Sequence, residues 1–142
     1  MEYLERDNVL MKKILITGGS GFLGTNLVEY YKTSGCDVRN FDIKKPRNMD
    51  HIDVWNELDL LDQDKLTSSI TKFSPDVVFH MAARTDLDGS DLDAYKVNTK
   101  GLSNLIFALN TLVDIEMVVF ASSMLVCKLG YVPKNEGDYC PD

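Results

Sequence analysis

Eight residues carry the first recognisable chemistry in this chain: Thr17 to Gly24, TGGSGFLG, with glycines at 18, 21 and 24. They begin on the last residue of the apolar run KKILIT (12–17). They open a segment in which Leu23, Leu27, Val28 and Tyr31 recur at helical spacing. A bare glycine triplet says little; between a strand and an amphipathic helix it describes a cradle for a diphosphate. Gly18 permits a tight exit from the strand. Gly21 leaves no Cβ between the backbone and a bound phosphate. Gly24 lets the helix pack closely on the strand. An anion there meets unpaired main-chain amides and the positive end of the helix dipole, so no basic side chain is needed. A plain loop-to-helix turn is the alternative.

Asp42 ends a second alternating run, CDVRNFD, 18 residues after Gly24. A carboxylate at that point can accept from both ribose hydroxyls of an adenosine. It also opposes a 2′-phosphate, since two like charges about 4 Å apart repel by about 4 kcal/mol at an effective dielectric of about 20. This favours NAD over NADP, while Lys44, Lys45 and Arg47 nearby soften the preference. A solvated strand end is the competing explanation of Asp42.

The elements that must position these residues follow from periodicity. After the strand at 12–17 and its helix, closed by Gly35, come a strand at 36–42, a polar loop marked by Pro46, and a weaker strand over about 52–57. Leu66, Ile70 and Phe73 stripe a short helix that ends at Ser74-Pro75. DVVFHM (76–81) reads as a strand. A long helix is predicted from Asp91 to about Leu112, and EMVVFA (116–121) as the last strand. Strands alternating with helices imply parallel pairing and right-handed crossovers, hence an α/β, doubly wound sheet of the Rossmann type. The predicted order is 3-2-1-4-5, with the ligand crevice at the carboxyl ends of strands 1 and 4.

Composition narrows the classes. The chain has 142 residues, one domain's worth. Residues 1–11 read as an extension without the layout of a secretory signal, with Met11 as an alternative start, and residues 12–142 as the dinucleotide-binding domain. No apolar run reaches the roughly 18–20 residues that span a bilayer. Cys36, Cys127 and Cys140 are too widely spaced for a zinc site or a disulfide framework, which points to a reducing cytoplasm and no metal. Net charge is −7; residues 51–142 hold 7 Lys/Arg against 15 Asp/Glu, a surface that repels nucleic acid.

The ordered motifs resemble those of the extended short-chain dehydrogenase/reductases, the NAD-dependent epimerases and dehydratases that act on nucleotide sugars. TGGSGFLG is similar to the family's TGGxGFxG. Asp59-Leu60 resembles the acidic-apolar pair that contacts adenine. His80-Met81-Ala82-Ala83-Arg84 resembles HxAAx, which lines the cofactor's middle. Val97-Asn98-Thr99-Lys100-Gly101 resembles NVxGT, and Ala121-Ser122-Ser123 with Val126 resembles SSxxVYG. The resemblance implies NAD as cofactor, held by Gly18, Gly21, Phe22, Leu23, Gly24, Asp42, Asp59, Leu60, Ala82, Ala83, Arg84 and Asn98. It implies Ser123 as the catalytic group that hydrogen-bonds the reacting sugar hydroxyl, and a homodimer in the whole enzyme. Each position also has a plainer role open to it: His80 as a satisfied core histidine, Asn98 as a bridge between loop backbones, Asp59 as a helix-entry acid, and Ser123 as a strand-end cap.

The family's base is the tyrosine of Tyr-x-x-x-Lys, and no tyrosine here has that lysine: Tyr30 is followed by Ser34, Tyr31 by Gly35, Tyr95 by Thr99 and Tyr131 by Asn135. PKNEGDYCPD resembles the family's P-x-x-E…P loop just ahead of that motif, so the chain is expected to stop before the last strands, the base and the substrate domain. Cys127-Lys128 stands where the family has Tyr-Gly. The chain is therefore expected to be inactive alone, since general-base help is worth about 10²–10⁴-fold, and prone to self-association along an uncovered edge strand. A non-catalytic dinucleotide-binding module, or a family reductase acting on a non-sugar carbonyl, are the alternatives.

Overall fold

The computed structural model describes residues 11–123, 127–128, 130–135 and 137–138. Its elements, in chain order, are β1 (Lys13–Thr17), α1 (Phe22–Thr33), β2 (Asp37–Asp42), β3 (Trp55–Glu57), α2 (Gln63–Phe73), β4 (Val77–His80), α3 (Leu102–Leu109) and β5 (Met117–Phe120). The five strands form one parallel sheet in the order β3-β2-β1-β4-β5, as predicted.

Alternation along β1 divides the core between the two faces of the sheet. Ile14 and Ile16 point towards α1 and pack with Val28, Val38, Val77 and Phe79. Leu15 points the other way, into Leu66, Ile70, Val78 and Leu105 beneath α2 and α3. Burying Leu66 and Ile70 completely stabilises by about 1.5–3 kcal/mol each. Their helix is set at both ends: the Asp62 side chain accepts from the Lys65 amide at 3.1 Å, and Ser74 turns left-handed at φ 51° ahead of Pro75. Helix α1 closes on Gly35, at φ 80°.

Register decides where a ligand can sit. Thr17 lies level with Phe41 and His80, and His80 with Phe120, so the carboxyl ends of four strands finish along one line. The loops that leave this line form the site.

Two predicted elements differ. The strand expected from residue 52 begins only at Trp55, because Asn48 accepts from the Asp50 amide and closes a 3-10 turn over Met49–His51. The long helix expected from Asp91 is broken into a 3-10 turn (Asp93–Tyr95), a π turn (Val97–Gly101) and α3. Contacts made by Asn98 and Gly101, described below, override uniform helical winding there.

Candidate functional site

The glycine loop is shaped by what touches it. Gly18, at φ 71°, turns the chain over the end of β1, and its amide donates to the Phe41 carbonyl at 2.9 Å. A Cβ there would stand 2.6 Å from the Ala82 Cα, so the loops after β1 and β4 cross with no room for a side chain. A Cβ on Gly24 would lie 2.6 Å from the Gly19 Cα, which explains the close seating of α1. Gly19, not singled out by the spacing rule, packs on the buried side chain of Asn40; the only sequence signal was the doubled glycine. Gly21 is different: a Cβ there meets only the Gly18 carbonyl, at 3.2 Å. It is also the N-cap of α1, and no side chain caps the helix. The first-turn amides, those of Phe22 and Leu23 among them, have no partner inside the helix. The side chains of Phe22 and Leu23 point to the surface.

A cavity of about 580 Å³ opens at this loop. Gly18, Ser20 and Gly21 form one side. Asp42, Lys44, Lys45 and Arg47 form the second, Asp59-Leu60 the third, and Ala82-Ala83-Arg84 the fourth. The crevice predicted between the ends of strands 1 and 4 is therefore present, and it extends across β2 to the loop after β3.

Asp42 is bound into the loop it faces. One carboxylate oxygen accepts from the Ser20 amide at 3.0 Å, the other from the Lys44 amide at 2.9 Å. The Ser20 hydroxyl donates to the Lys44 carbonyl at 2.7 Å and accepts from the Asn40 amide group at 3.2 Å. Asp59 is exposed; it accepts from the Leu61 amide at 2.9 Å, while Asp62, three residues on, is the helix cap. Leu60 is buried, pinned by the Asn104 side chain on its carbonyl at 2.9 Å and by Gly101 against its Cβ.

The fourth wall is held from behind. Asn98 accepts from the Arg84 amide at 2.8 Å and donates to the Arg84 carbonyl at 2.9 Å, pairing with the backbone as a neighbouring strand would. Its side chain thus bridges loop backbones, and Val97 rather than Asn98 faces the cavity. The Arg84 guanidinium donates to both Asp86 oxygens and to the Ala94 carbonyl, and stacks over the Tyr95 ring. This pairing holds the Asp86 carboxyl below the usual carboxylate range and raises the guanidinium. His80 is buried, with Nδ1 2.7 Å from the Thr17 hydroxyl; burial lowers its pKa, so it is neutral near pH 7, a core histidine as the bland alternative had it.

Ser123 is exposed three residues beyond β5. Met124 to Val126, on which its resemblance depends, lie outside the described residues, as do Tyr139 and Cys140. Cys36 and Cys127 are free thiols. Among the described residues no cluster of three or more histidine, cysteine or carboxylate groups is arranged to hold a metal. Among them also, no helix is long and apolar enough to cross a membrane.

The model of the NAD-dependent epimerase/dehydratase family matches residues 14–140. The chain belongs to that family. Relatives in it include the CDP-paratose 2-epimerase of Salmonella typhi, 33% identical over 109 residues, covering 68% of this chain and 32% of that protein. The UDP-glucose 4-epimerase of Mycoplasma genitalium is 32% identical over 124 residues, covering 80% and 36%. The structure of Thermus thermophilus UDP-glucose 4-epimerase in complex with NAD superposes with a TM-score of 0.74 at 27% identity, covering 92% of this chain and 44% of that one. This member of the epimerase/dehydratase family thus spans about a third of the length of the curated relatives it matches.

NAD is the cofactor of the family, and the residues present fit it. The Gly21 position offers a face that a Cβ would fill, an uncapped helix start supplies amide donors, and the Asp42 carboxylate lines the same cavity.

Proposed function

We propose that this chain is the NAD-binding part of an NAD-dependent nucleotide-sugar epimerase or dehydratase. One observation carries the proposal: a single cavity has the bare face of Gly21 at one side and the Asp42 carboxylate at another, with Asp59-Leu60 beyond. That is the order of diphosphate, ribose and adenine along a dinucleotide.

When bound, NAD supplies the acceptor for a hydride from the sugar. The chain's own residues do the holding. Gly21 and the first-turn amides of Phe22, Leu23 and Gly24 receive the diphosphate, while Gly18 keeps the loops crossed above it. Asp42 accepts from the ribose hydroxyls, and Asp59 and Leu60 border the adenine. Ala82, Ala83 and Arg84 wall the middle, with Asn98 fixing their backbone. Ser123 hydrogen-bonds the reacting sugar hydroxyl, positioning that oxygen for oxidation at its carbon. With no Tyr-x-x-x-Lys among its residues, the chain alone does not oxidise sugars. The whole enzyme works in the cytoplasm as a homodimer.

Calorimetric titration tests this reading. NAD binds saturably to the chain, and Gly21→Val abolishes binding without unfolding it. A wild-type chain that takes up no NAD, or a Gly21→Val chain that binds as well, refutes the assignment.

A further inference from the structure

The chain holds nine glycines, and only one of them follows an aspartate or an asparagine: Gly89, after Asp88. The pair lies in the loop after β4, with Asp88 exposed, and Thr85 and Asp86 of the same loop line the cavity. With no side chain on Gly89, the peptide that joins the two residues turns more freely than any other. Its nitrogen can then approach the carboxyl carbon of the Asp88 side chain. The loop thus carries the components of a main-chain rearrangement that cofactor binding does not use.

Tyr95 restrains that nitrogen. The Gly89 amide donates to the Tyr95 hydroxyl at 3.0 Å, and the hydroxyl donates to the Asp86 carbonyl at 2.9 Å. A Cβ on Gly89 would stand 2.7 Å from Tyr95 Cζ and 2.9 Å from the Ala94 Cβ, so the residue laid against the ring has to be glycine. The packing that demands the labile residue type therefore also ties up its N–H. The tie is buttressed on both sides. The Asp88 amide donates to the Asp86 carboxylate at 3.2 Å, and the Arg84 guanidinium stacks 5.1 Å from the Tyr95 ring centre.

We propose that Asp88-Gly89 is a site of spontaneous aspartate isomerisation and that the Tyr95 hydroxyl sets its rate. In the first step the Gly89 nitrogen attacks the carbon of the protonated Asp88 side-chain carboxyl. A C–N bond forms, and one carboxyl oxygen departs as water, carrying the carboxyl proton and the proton lost from nitrogen. The product is a cyclic succinimide. In the second step water adds to that ring. Opening at the side-chain carbonyl restores aspartate, whereas opening at the main-chain carbonyl leaves the chain running through the side chain, as isoaspartate. The water released in the first step is regained in the second, and nothing is oxidised or reduced.

A nitrogen whose proton is held by Tyr95 has to leave that bond before it attacks, so the reaction waits on local opening of the loop. The product places one more carbon in the main chain, inside the span that Tyr95 ties between Asp86 and Gly89. That lengthening works against re-forming both bonds, beside the Arg84 backbone of the cavity wall.

The test follows residue 88 by peptide mapping, with fragmentation that separates aspartate from isoaspartate, through prolonged warm incubation of the 142-residue chain at neutral pH. Folded wild type accumulates isoaspartate at residue 88. Asp88→Glu does not, because its side chain is one carbon too long for the ring. Tyr95→Phe keeps the aromatic ring and loses the hydroxyl, and its folded chain isomerises about ten-fold faster, the worth of one hydrogen bond. In unfolding urea, where the tie is open in both, wild type and Tyr95→Phe react at one rate. Circular dichroism reports whether the variant is folded. If it is not, wild type in sub-denaturing urea replaces it, and the rate at residue 88 rises ahead of global unfolding. Absence of isoaspartate at residue 88 from folded wild type overturns the site. Equal rates in folded wild type and folded Tyr95→Phe, or a rate that rises only with global unfolding, overturn the control by Tyr95.

Discussion

The Asp42 carboxylate and the Ser20 main-chain nitrogen, on loops after different strands, are joined by a hydrogen bond of 3.0 Å. The residue proposed to accept from ribose is therefore also one that ties the glycine loop to the loop after β2. Asp42→Ala removes an ionised acceptor from both. Hydrogen bonds to charged groups are worth about 1.5–3 kcal/mol, so NAD affinity should fall by about 10–100-fold in calorimetry. Amide exchange at Ser20 should accelerate alongside. Unchanged exchange with weakened binding would separate the two roles and contradict the linkage.

Gly18 and Gly21 should respond differently to the same added methyl. Gly18→Ala places a Cβ 2.6 Å from the Ala82 backbone at φ 71°, and should destabilise the fold by about 2 kcal/mol or more in urea unfolding. Gly21→Ala meets only a carbonyl at 3.2 Å and should change stability by less than about 1 kcal/mol. Its effect should fall on NAD binding, weakened at least about ten-fold.

Asn98 makes both of its bonds to the Arg84 backbone, so its removal should register in stability before binding. At about 1 kcal/mol per net hydrogen bond, Asn98→Ala should cost about 2 kcal/mol. Asn98→Asp keeps the acceptor and loses the donor, and should fall between. Equal stability of all three chains would mean that the bridge does not hold the wall.

His80 gives the fold a pH dependence. Burial lowers its folded-state pKa beneath the ordinary 6.5, so the unfolded chain binds the proton more readily. The stability from the neutral ring is complete above about pH 6.5, declines as pH falls below it, and is gone once pH passes the folded-state value. Urea midpoints measured from pH 8 to 5 should show this loss. A His80→Asn chain should show less of it, and an identical profile would remove His80 as the cause.

β5 lies at one edge of the sheet, with Met117 and Phe120 each nearly half exposed. An apolar groove between α1 and β5 runs beside it, lined by Leu27, Phe79, Met81 and Val119. Such an edge favours pairing with another chain, so light scattering should show mass rising with concentration. Val119→Lys should suppress the rise, since a charge would have to be desolvated in the contact. A monomer at all concentrations would rule out this surface.

Local chemistry made much of this protein legible in one dimension. The strand–glycine–helix unit, the apolar stripe of Leu66, Ile70 and Phe73, and Asp42 at a strand end are short-range patterns. Sheet order followed from them, because right-handed crossovers leave few other arrangements. Tertiary contact decided the rest. The helix predicted from Asp91 is broken where Asn98 pairs with Arg84 and Gly101 abuts Leu60, partners too distant in sequence for periodicity to register. Gly19 is required by Asn40 on another strand, and the Arg84 side chain is turned to Asp86 and Tyr95. Propensity and spacing are properties of neighbours along the chain. The satisfaction of a buried carbonyl or the clearance around a missing Cβ depends on whatever the fold brings alongside.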